Sequence, residues 1–138
     1  MDSANQRIRV LVADDSQTAL LSVCKYLEFE GEFEVVGTAR DGVALVDKTK
    51  DVCPDLVLSD LSMPRVGGLE AAKELRKLFP RLRILIFSEL NGLSLRDECL
   101  RSGADGFVRK SDMPEKLMEE VRRFFPKNLQ PMDQTNFG

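Results

Sequence analysis

The stretch VLVADDS, residues 10–16, decides the fold. A short apolar run rich in β-branched residues is followed at once by two carboxylates, Asp14 and Asp15. The same pattern, an apolar run that leads into a polar residue, recurs later in the chain at Asp60, Ser88 and Lys110. Runs that are apolar on both faces are typical of strands in a parallel sheet covered by helices.

Helical periodicities lie between these runs. Apolar residues recur at i, i+3, i+4 and i+7 from Leu20 to Leu27, with Ser16 placed as an N-cap and Gly31 as a stop signal. Strands are predicted at Ile8–Ala13, Phe33–Val36, Leu56–Leu58, Leu82–Phe87 and Phe107–Val108. Helices are predicted around 20–27, 43–46, 69–79, 95–100 and 114–125. Five strand–helix units in succession favour a doubly wound α/β sheet.

Two helix starts carry their own capping signals. Asp41 precedes the second helical pattern and is predicted to cap it. Asp112 and Glu115 have the spacing of a capping box before the last helix.

Composition excludes several classes of protein. The 138 residues suit one domain, and a net charge of −3 argues against a polyanion-binding surface. Three cysteines without a CxxC pair, and no histidine, argue against a disulfide framework and a zinc site, and are consistent with a reducing cytosol. No apolar stretch is long enough for a membrane span, and the first residues have no apolar signal region. We therefore expect a cytoplasmic protein.

The polar residues after the strands point to a charged site. Parallel strands end at the same edge of their sheet, so Asp14, Asp15, Asp60, Ser88 and Lys110 are expected to converge there. Two carboxylates about 4 Å apart repel each other by about 4 kcal/mol at an effective dielectric constant near 20. Such a cluster calls for a cation, and carboxylate oxygens suit Mg²⁺. An ammonium and a hydroxyl beside them can hold a phosphate group.

Four motifs together resemble the receiver domain of two-component response regulators: VLVADDS at 10–16, DLVLSDLSMP at 55–64, ILIFS at 84–88 and GFVRK at 106–110. The match runs from about Arg7 to Phe125. A receiver domain is expected over residues 1–126, and the polar composition without periodicity after Pro126 predicts a tail or linker stub over 127–138. The resemblance also implies a flavodoxin-like, five-stranded parallel sheet of order 2-1-3-4-5 with five helices, in three layers.

The resemblance assigns the site residues. Asp60 would be the phosphoacceptor. It would receive a phosphoryl group from a sensor histidine kinase, a phosphotransfer protein or a small phosphodonor. Mg²⁺ would be bound by Asp15, Asp60 and the backbone carbonyl of Ser62, with Asp14 contributing through water. The product would be an aspartyl phosphate, which is labile and suits a reversible switch.

The resemblance also implies how the signal leaves the site. Ser88 and Lys110 would hold the phosphoryl oxygens, and Phe107 would turn into the space that Ser88 vacates. The face of the fourth helix, fifth strand and fifth helix would then control a downstream protein or an output domain. The segment itself is expected to be no enzyme and to bind neither nucleic acid nor membrane. Dimerisation on phosphorylation is compatible with this reading.

Glu89 departs from the family pattern, in which a small residue follows the switch hydroxyl. A glutamate adds bulk and negative charge beside the site, and we expect it to modulate phosphorylation.

Three alternatives remain at this point. One is a receiver-like module that binds protein partners without phosphorylation, a reading supported by Glu89. Another is a fragment of a longer regulator with a DNA-binding output domain. A third is an enzyme on the same fold, but a dehalogenase-type phosphatase needs D-x-D where this chain has Asp14-Asp15-Ser16, and a flavodoxin needs a phosphate loop that is not present.

Overall fold

A computed structural model describes residues 6–90 and 92–126, so the predicted tail at 127–138 lies outside the described residues. Its five strands are all parallel and form a single sheet in the order β2-β1-β3-β4-β5. They are β1 (Ile8–Ala13), β2 (Phe33–Ala39), β3 (Leu56–Asp60), β4 (Arg83–Ser88) and β5 (Gly106–Arg109). The predicted order is confirmed, and the strand order reverses between β1 and β3.

Helices follow the strands. They are α1 (Gln17–Glu30), α2 (Gly42–Val52), α3 (Gly68–Leu78), α4 (Leu93–Arg101) and α5 (Glu115–Phe124), and a 3₁₀ turn lies at Lys110–Asp112. In the part of the chain that the structure describes, none of them is both long and apolar enough to cross a membrane.

Two apolar cores cover the two faces of the sheet. Val10 and Val12 of β1 belong to the core shared with α1 and α5, where Leu27 is fully buried. Leu11 and Ala13 belong to the other core, shared with α2, α3 and α4. Successive side chains of a strand point to opposite faces, so a strand covered on both sides is apolar throughout. The predicted three-layer α/β architecture is confirmed.

The caps were predicted with mixed success. Ser16 and Asp41 accept hydrogen bonds from the backbone N–H groups of Ala19 and Ala44. Gly31 ends α1 with a φ of 83°, a conformation that glycine adopts at little cost. The capping box at Asp112 is wrong, because Asp112 lies in the 3₁₀ turn, its carboxylate accepts hydrogen bonds from the Arg109 guanidinium, and α5 starts without a side-chain cap.

Candidate functional site

Three carboxylates meet where the strand order reverses. β1 pairs with β3 up to Ala13 and Ser59, so Asp14 and Asp60 follow as neighbours at the carboxyl end of the sheet. With Asp15, each offers an oxygen, and these oxygens all lie within 4.8 Å of one another. Asp14 and Asp60 are buried, whereas Asp15 is exposed. The structure therefore brings Asp14, Asp15 and Asp60 together at this edge, as the sequence predicts.

Lys110 brings a positive charge to the same point. Its Nζ lies 3.1 Å from Oδ2 of Asp14 and 3.7 Å from Oδ1 of Asp60. The ammonium also lies over the ring of Phe87, 5.3 Å from the ring centroid. Three carboxylates against one ammonium leave these four groups with an excess of negative charge.

The excess of negative charge affects the pKa values of Asp60 and Lys110. Burial, followed by the charge of Asp14, raises the pKa of Asp60 to about 6, and the charge of Lys110 only partly offsets this. Burial alone would lower the pKa of Lys110, but its hydrogen bond with Asp14 and the charges of Asp60, Asp14 and Glu89 outweigh it, and its pKa is raised. The site therefore lacks positive charge when no cation is bound.

Ser88 ends β4, which is the neighbour of β3. It is 3% exposed, and its Oγ accepts a hydrogen bond of 3.0 Å from the backbone N–H of Leu90. This contact fixes the oxygen and leaves the hydroxyl proton to be donated elsewhere. In the register of β4 and β5, Ile86 pairs with Phe107 and Ser88 with Arg109, so Ser88 and Phe107 project to the same face of the sheet.

Phe107 is buried and borders a cleft of about 470 Å³ between α4 and α5. Gly92, Leu93 and Arg96 line the same cleft from the α4 side. The predicted switch aromatic therefore sits in the core with one side next to an open surface.

The loop after β3 carries Ser62, which is exposed and lies two residues past Asp60. The loop leads into Gly68, whose N–H donates a hydrogen bond of 2.8 Å to the carbonyl of Leu61. A Cβ on Gly68 would lie 2.5 Å from the backbone oxygen of Asp60, so α3 can start this close to the site only with glycine there.

Glu89 is exposed and follows Ser88 directly. Its charge contributes to the raised pKa of Lys110, so it lies within electrostatic range of the site. This places the predicted modulating residue near the cluster.

One contact at this edge was not predicted from the sequence. Arg40 follows β2, and its guanidinium donates two hydrogen bonds to the backbone carbonyl of Asp15. The signal that was available is positional: Arg40 follows an edge strand at the same end of the sheet as the other polar residues.

The donor set fits Mg²⁺. Carboxylate oxygens within 4.8 Å of one another are hard ligands, and two of the three carboxylates come from adjacent residues on one loop. A site that binds a cation has an excess of negative charge and a carboxyl of raised pKa when the cation is not counted, and Asp60 shows this.

Comparisons with known proteins agree with this geometry. Residues 10–122 match the family model described as response regulator receiver domain. The chain is 33% identical to the transcriptional regulatory protein DegU of Brevibacillus brevis over 84% of its own length and 49% of that protein. It is 30% identical to the chemotaxis protein CheY of Thermotoga maritima, over 83% of its own length and 95% of that protein. The chain spans about half or less of the length of DegU and of several further curated relatives that it matches.

Among solved structures, the complex of CheX and CheY with BeF3 and Mg²⁺ from Borrelia burgdorferi is similar, with a TM-score of 0.80 and 26% identity. That match covers 87% of this chain and 90% of the other. The fold, the strand-end residues and the family match lead to one conclusion: the chain belongs to the response regulator receiver domain family.

Proposed function

We propose that the chain is a phosphorylation-dependent signalling switch in which Asp60 accepts a phosphoryl group. The observation that carries the proposal is the position of Asp60: a buried carboxylate inside an acidic cluster, with the Lys110 ammonium 3.7 Å from its oxygen. The donor would be a histidine kinase or a phosphotransfer protein. The domain would span residues 1–126, and 127–138 would be a tail or the start of a linker.

The metal site of this proposal uses the same cluster. Asp15, Asp60 and the backbone carbonyl of Ser62 would hold Mg²⁺, and Asp14 would contribute through water. Bound there, the ion supplies positive charge that offsets the repulsion between a carboxylate and an anionic phosphoryl donor. The similar CheY of Borrelia burgdorferi has a structure in complex with BeF3 and Mg²⁺, which supports Mg²⁺ as the cation.

The chain's own groups would perform the transfer. A carboxylate oxygen of Asp60 forms a bond to phosphorus while the bond between phosphorus and the donor atom breaks. Lys110, already hydrogen-bonded to Asp14, would shift its ammonium toward the incoming oxygens. Ser88 would donate its hydroxyl proton to a phosphoryl oxygen, since its Oγ is otherwise occupied only as an acceptor among the described contacts.

The readout would follow from Ser88 and Phe107, which share one face of the sheet. Movement of Ser88 toward the phosphoryl group would open space for the Phe107 ring and shift the population of the α4–β5–α5 face. That face would bind a downstream protein or an output domain, and could mediate dimerisation of the phosphorylated form. The domain would neither turn over a substrate of its own nor bind nucleic acid directly.

Phosphate labelling tests the proposal. The wild type, Asp60→Asn and Asp51→Asn are incubated with a small phosphodonor, with Mg²⁺ or with a chelator, and separated on a phosphate-affinity gel. Asp51 is an exposed residue of α2 and serves as the matched control. We expect Mg²⁺-dependent label in the wild type and in Asp51→Asn, and none in Asp60→Asn.

Label that persists in Asp60→Asn would overturn the assignment of the phosphoacceptor. A wild type that takes up no label would favour the alternative of a receiver-like module that binds its partner without phosphorylation.

A further inference from the structure

We infer that Arg40 is a positioning residue for the metal site, and that its guanidinium sets the affinity for Mg²⁺ by holding the loop that carries Asp15. This inference rests on the proposed function, because it takes Asp15 to be a metal ligand. It concerns a residue that directly follows the edge strand β2, outside the carboxylate cluster itself.

Arg40 makes three contacts with the loop after β1 and the first residue of α1. Its Nε and Nη2 donate hydrogen bonds of 3.2 and 2.9 Å to the backbone carbonyl of Asp15. Its Nη1 donates one of 2.8 Å to Oε1 of Gln17. A planar guanidinium that bonds through three nitrogens fixes both the position and the direction of its partner.

Sheet register brings Arg40 to this loop. β1 and β2 pair as far as Ala13 and Ala39, and the N–H of Asp14 still donates to the carbonyl of Ala39 at 3.1 Å. The next residues on the two strands, Asp14 and Arg40, are therefore held side by side before either chain turns away.

The two residues after Arg40 hold the other side of the site. Asp41 accepts a hydrogen bond of 3.0 Å from Arg65, and the N–H of Gly42 donates one of 2.8 Å to the carbonyl of Val66. A Cβ on Gly42 would lie 2.3 Å from that same oxygen. Residues 40–42 therefore form a strap that joins the loop after β1 to the loop after β3.

The strap matters because both loops carry ligands of the proposed site. The first holds Asp15, and the second holds the carbonyl of Ser62. Mg²⁺ requires near-ideal octahedral geometry and dehydrates reluctantly, so its affinity depends on ligands that are already in place. Groups that orient metal ligands typically change metal affinity by 10- to 100-fold when removed.

Charge and positioning predict opposite signs for the loss of Arg40. A cation beside the site repels Mg²⁺, so if Arg40 acted only through its charge, its removal would tighten Mg²⁺ binding. If Arg40 acts by holding Asp15, its removal weakens binding although a repelling charge has gone. The direction of the change decides between the two.

The test is a Mg²⁺ titration of the unphosphorylated protein, followed by backbone amide shifts in the NMR spectrum. We expect Arg40→Gln to raise the Mg²⁺ dissociation constant by about tenfold. Arg40→Lys keeps the charge but cannot form the forked contact, and should raise it by about two- to threefold. Arg101→Gln removes the same charge from the exposed end of α4. This helix leads into β5, the strand at the other side of the sheet from β2, so the variant should match the wild type.

Thermal unfolding in the presence of a chelator adds a second readout. Arg40 is exposed, so the metal-free Arg40→Gln variant should unfold within a few degrees of the wild type.

An unchanged or lower dissociation constant in Arg40→Gln would overturn the inference, and so would wild-type affinity in Arg40→Lys or an equal loss in Arg101→Gln. If the wild type binds Mg²⁺ and Arg40→Gln binds it equally well, only this inference fails. If the wild type binds no Mg²⁺, the proposed function fails with it.

Discussion

The two ends of the parallel strands, called here the carboxyl-terminal edge and the amino-terminal edge of the sheet, carry opposite arrangements of charge. At the carboxyl ends of the strands, three carboxylates cluster beside the ammonium of Lys110, which pairs with two of them, Asp14 and Asp60. At the amino ends of β4 and β5, the order is reversed, and the guanidinium groups of Arg76 and Arg83 share the carboxylate of Asp105. The first arrangement leaves negative charge unmatched, whereas the second distributes its charge over many hydrogen bonds.

Arg76 shows how fully the amino-terminal edge is satisfied. Its guanidinium donates hydrogen bonds of 3.0 and 2.8 Å to the carbonyl of Gly103, and one of 2.7 Å to the carbonyl of Leu82. It also reaches Oδ2 of Asp105 at 2.7 Å, and this same oxygen accepts from the N–H of Ile84. One side chain thus closes the loop before β4 and the loop before β5.

The difference separates stability from function. Charges that hold the fold are matched by protein groups in fixed positions, so they need no ligand. Charges that serve a switch are left unmatched, because a ligand must find something to bind. The carboxyl-terminal edge should therefore reduce stability until a cation arrives, and the amino-terminal edge should supply stability under all conditions.

The largest expected effect is at the amino-terminal edge. Arg76→Ala should lower the free energy of unfolding by about 3 kcal/mol, because it leaves several carbonyls without their donor and removes one of the two guanidinium partners of Asp105. Urea denaturation measures this loss. Lys77→Ala, an exposed neighbour on the same helix, is the control and should change stability by less than about 0.5 kcal/mol. Equal stability of the two variants would mean that the edge does not depend on Arg76.

At the carboxyl-terminal edge, a substitution should stabilise. The pKa of Asp60 is raised from 3.8 to about 6 in the folded chain. The folded chain therefore favours the protonated carboxyl. This contribution to the free energy of unfolding is fully present below pH 3.8, the pKa of the carboxyl in the unfolded chain, and is lost as the pH rises through about 6. Asp60→Asn mimics the neutral form. In a chelator, it should therefore match the wild type near pH 4 and exceed it by about 2 to 3 kcal/mol near pH 8.

Urea denaturation at several pH values measures this difference. A constant gap between the two proteins across that range would contradict the electrostatic origin of the effect.

Magnesium should act on the same edge and not on the other. At ten times its dissociation constant, Mg²⁺ should stabilise the wild type by about 1.4 kcal/mol. Asp60→Asn should gain much less, since a proposed ligand has lost its charge. Arg76→Ala should gain the full amount, because its defect lies at the opposite edge. Thermal shift with and without Mg²⁺ measures all three, and an equal gain in Asp60→Asn would place the metal elsewhere.

The two edges also differ in how far the sequence predicts them. Apolar runs and strand-end carboxylates predicted the elements and the convergence of Asp14, Asp15 and Asp60. The strand order came from the family resemblance, because periodicity does not say which strands are neighbours. The end of β2 was placed at Val36, although pairing continues to Ala39, because the exposed half of an edge strand is not apolar.

Contacts between side chains and backbone carbonyls were the main omission. Arg40 binds the carbonyl of Asp15, and Arg76 binds that of Gly103, yet a carbonyl is present at every position and leaves no mark in the sequence. Asp112 was misassigned for a related reason. Its carboxylate can cap a helix or pair with a guanidinium, and spacing alone does not reveal that Arg109 is the partner.

The smallest expected effect concerns Glu89, which adds negative charge to the edge that already has an excess. Glu89→Gln removes the charge at nearly constant size and should speed phosphorylation by a small anionic donor about two- to threefold, the range of an exposed charge pair. The gain should shrink at about 0.5 M salt, because exposed charges are screened. Glu98→Gln, an exposed site on α4, is the control. Glu89→Ala removes bulk as well, so any further acceleration over Glu89→Gln measures access to Asp60. Equal rates for all four proteins at low salt would show that Glu89 points away from the site, and the charge excess of this edge would then belong to Asp14, Asp15 and Asp60 alone.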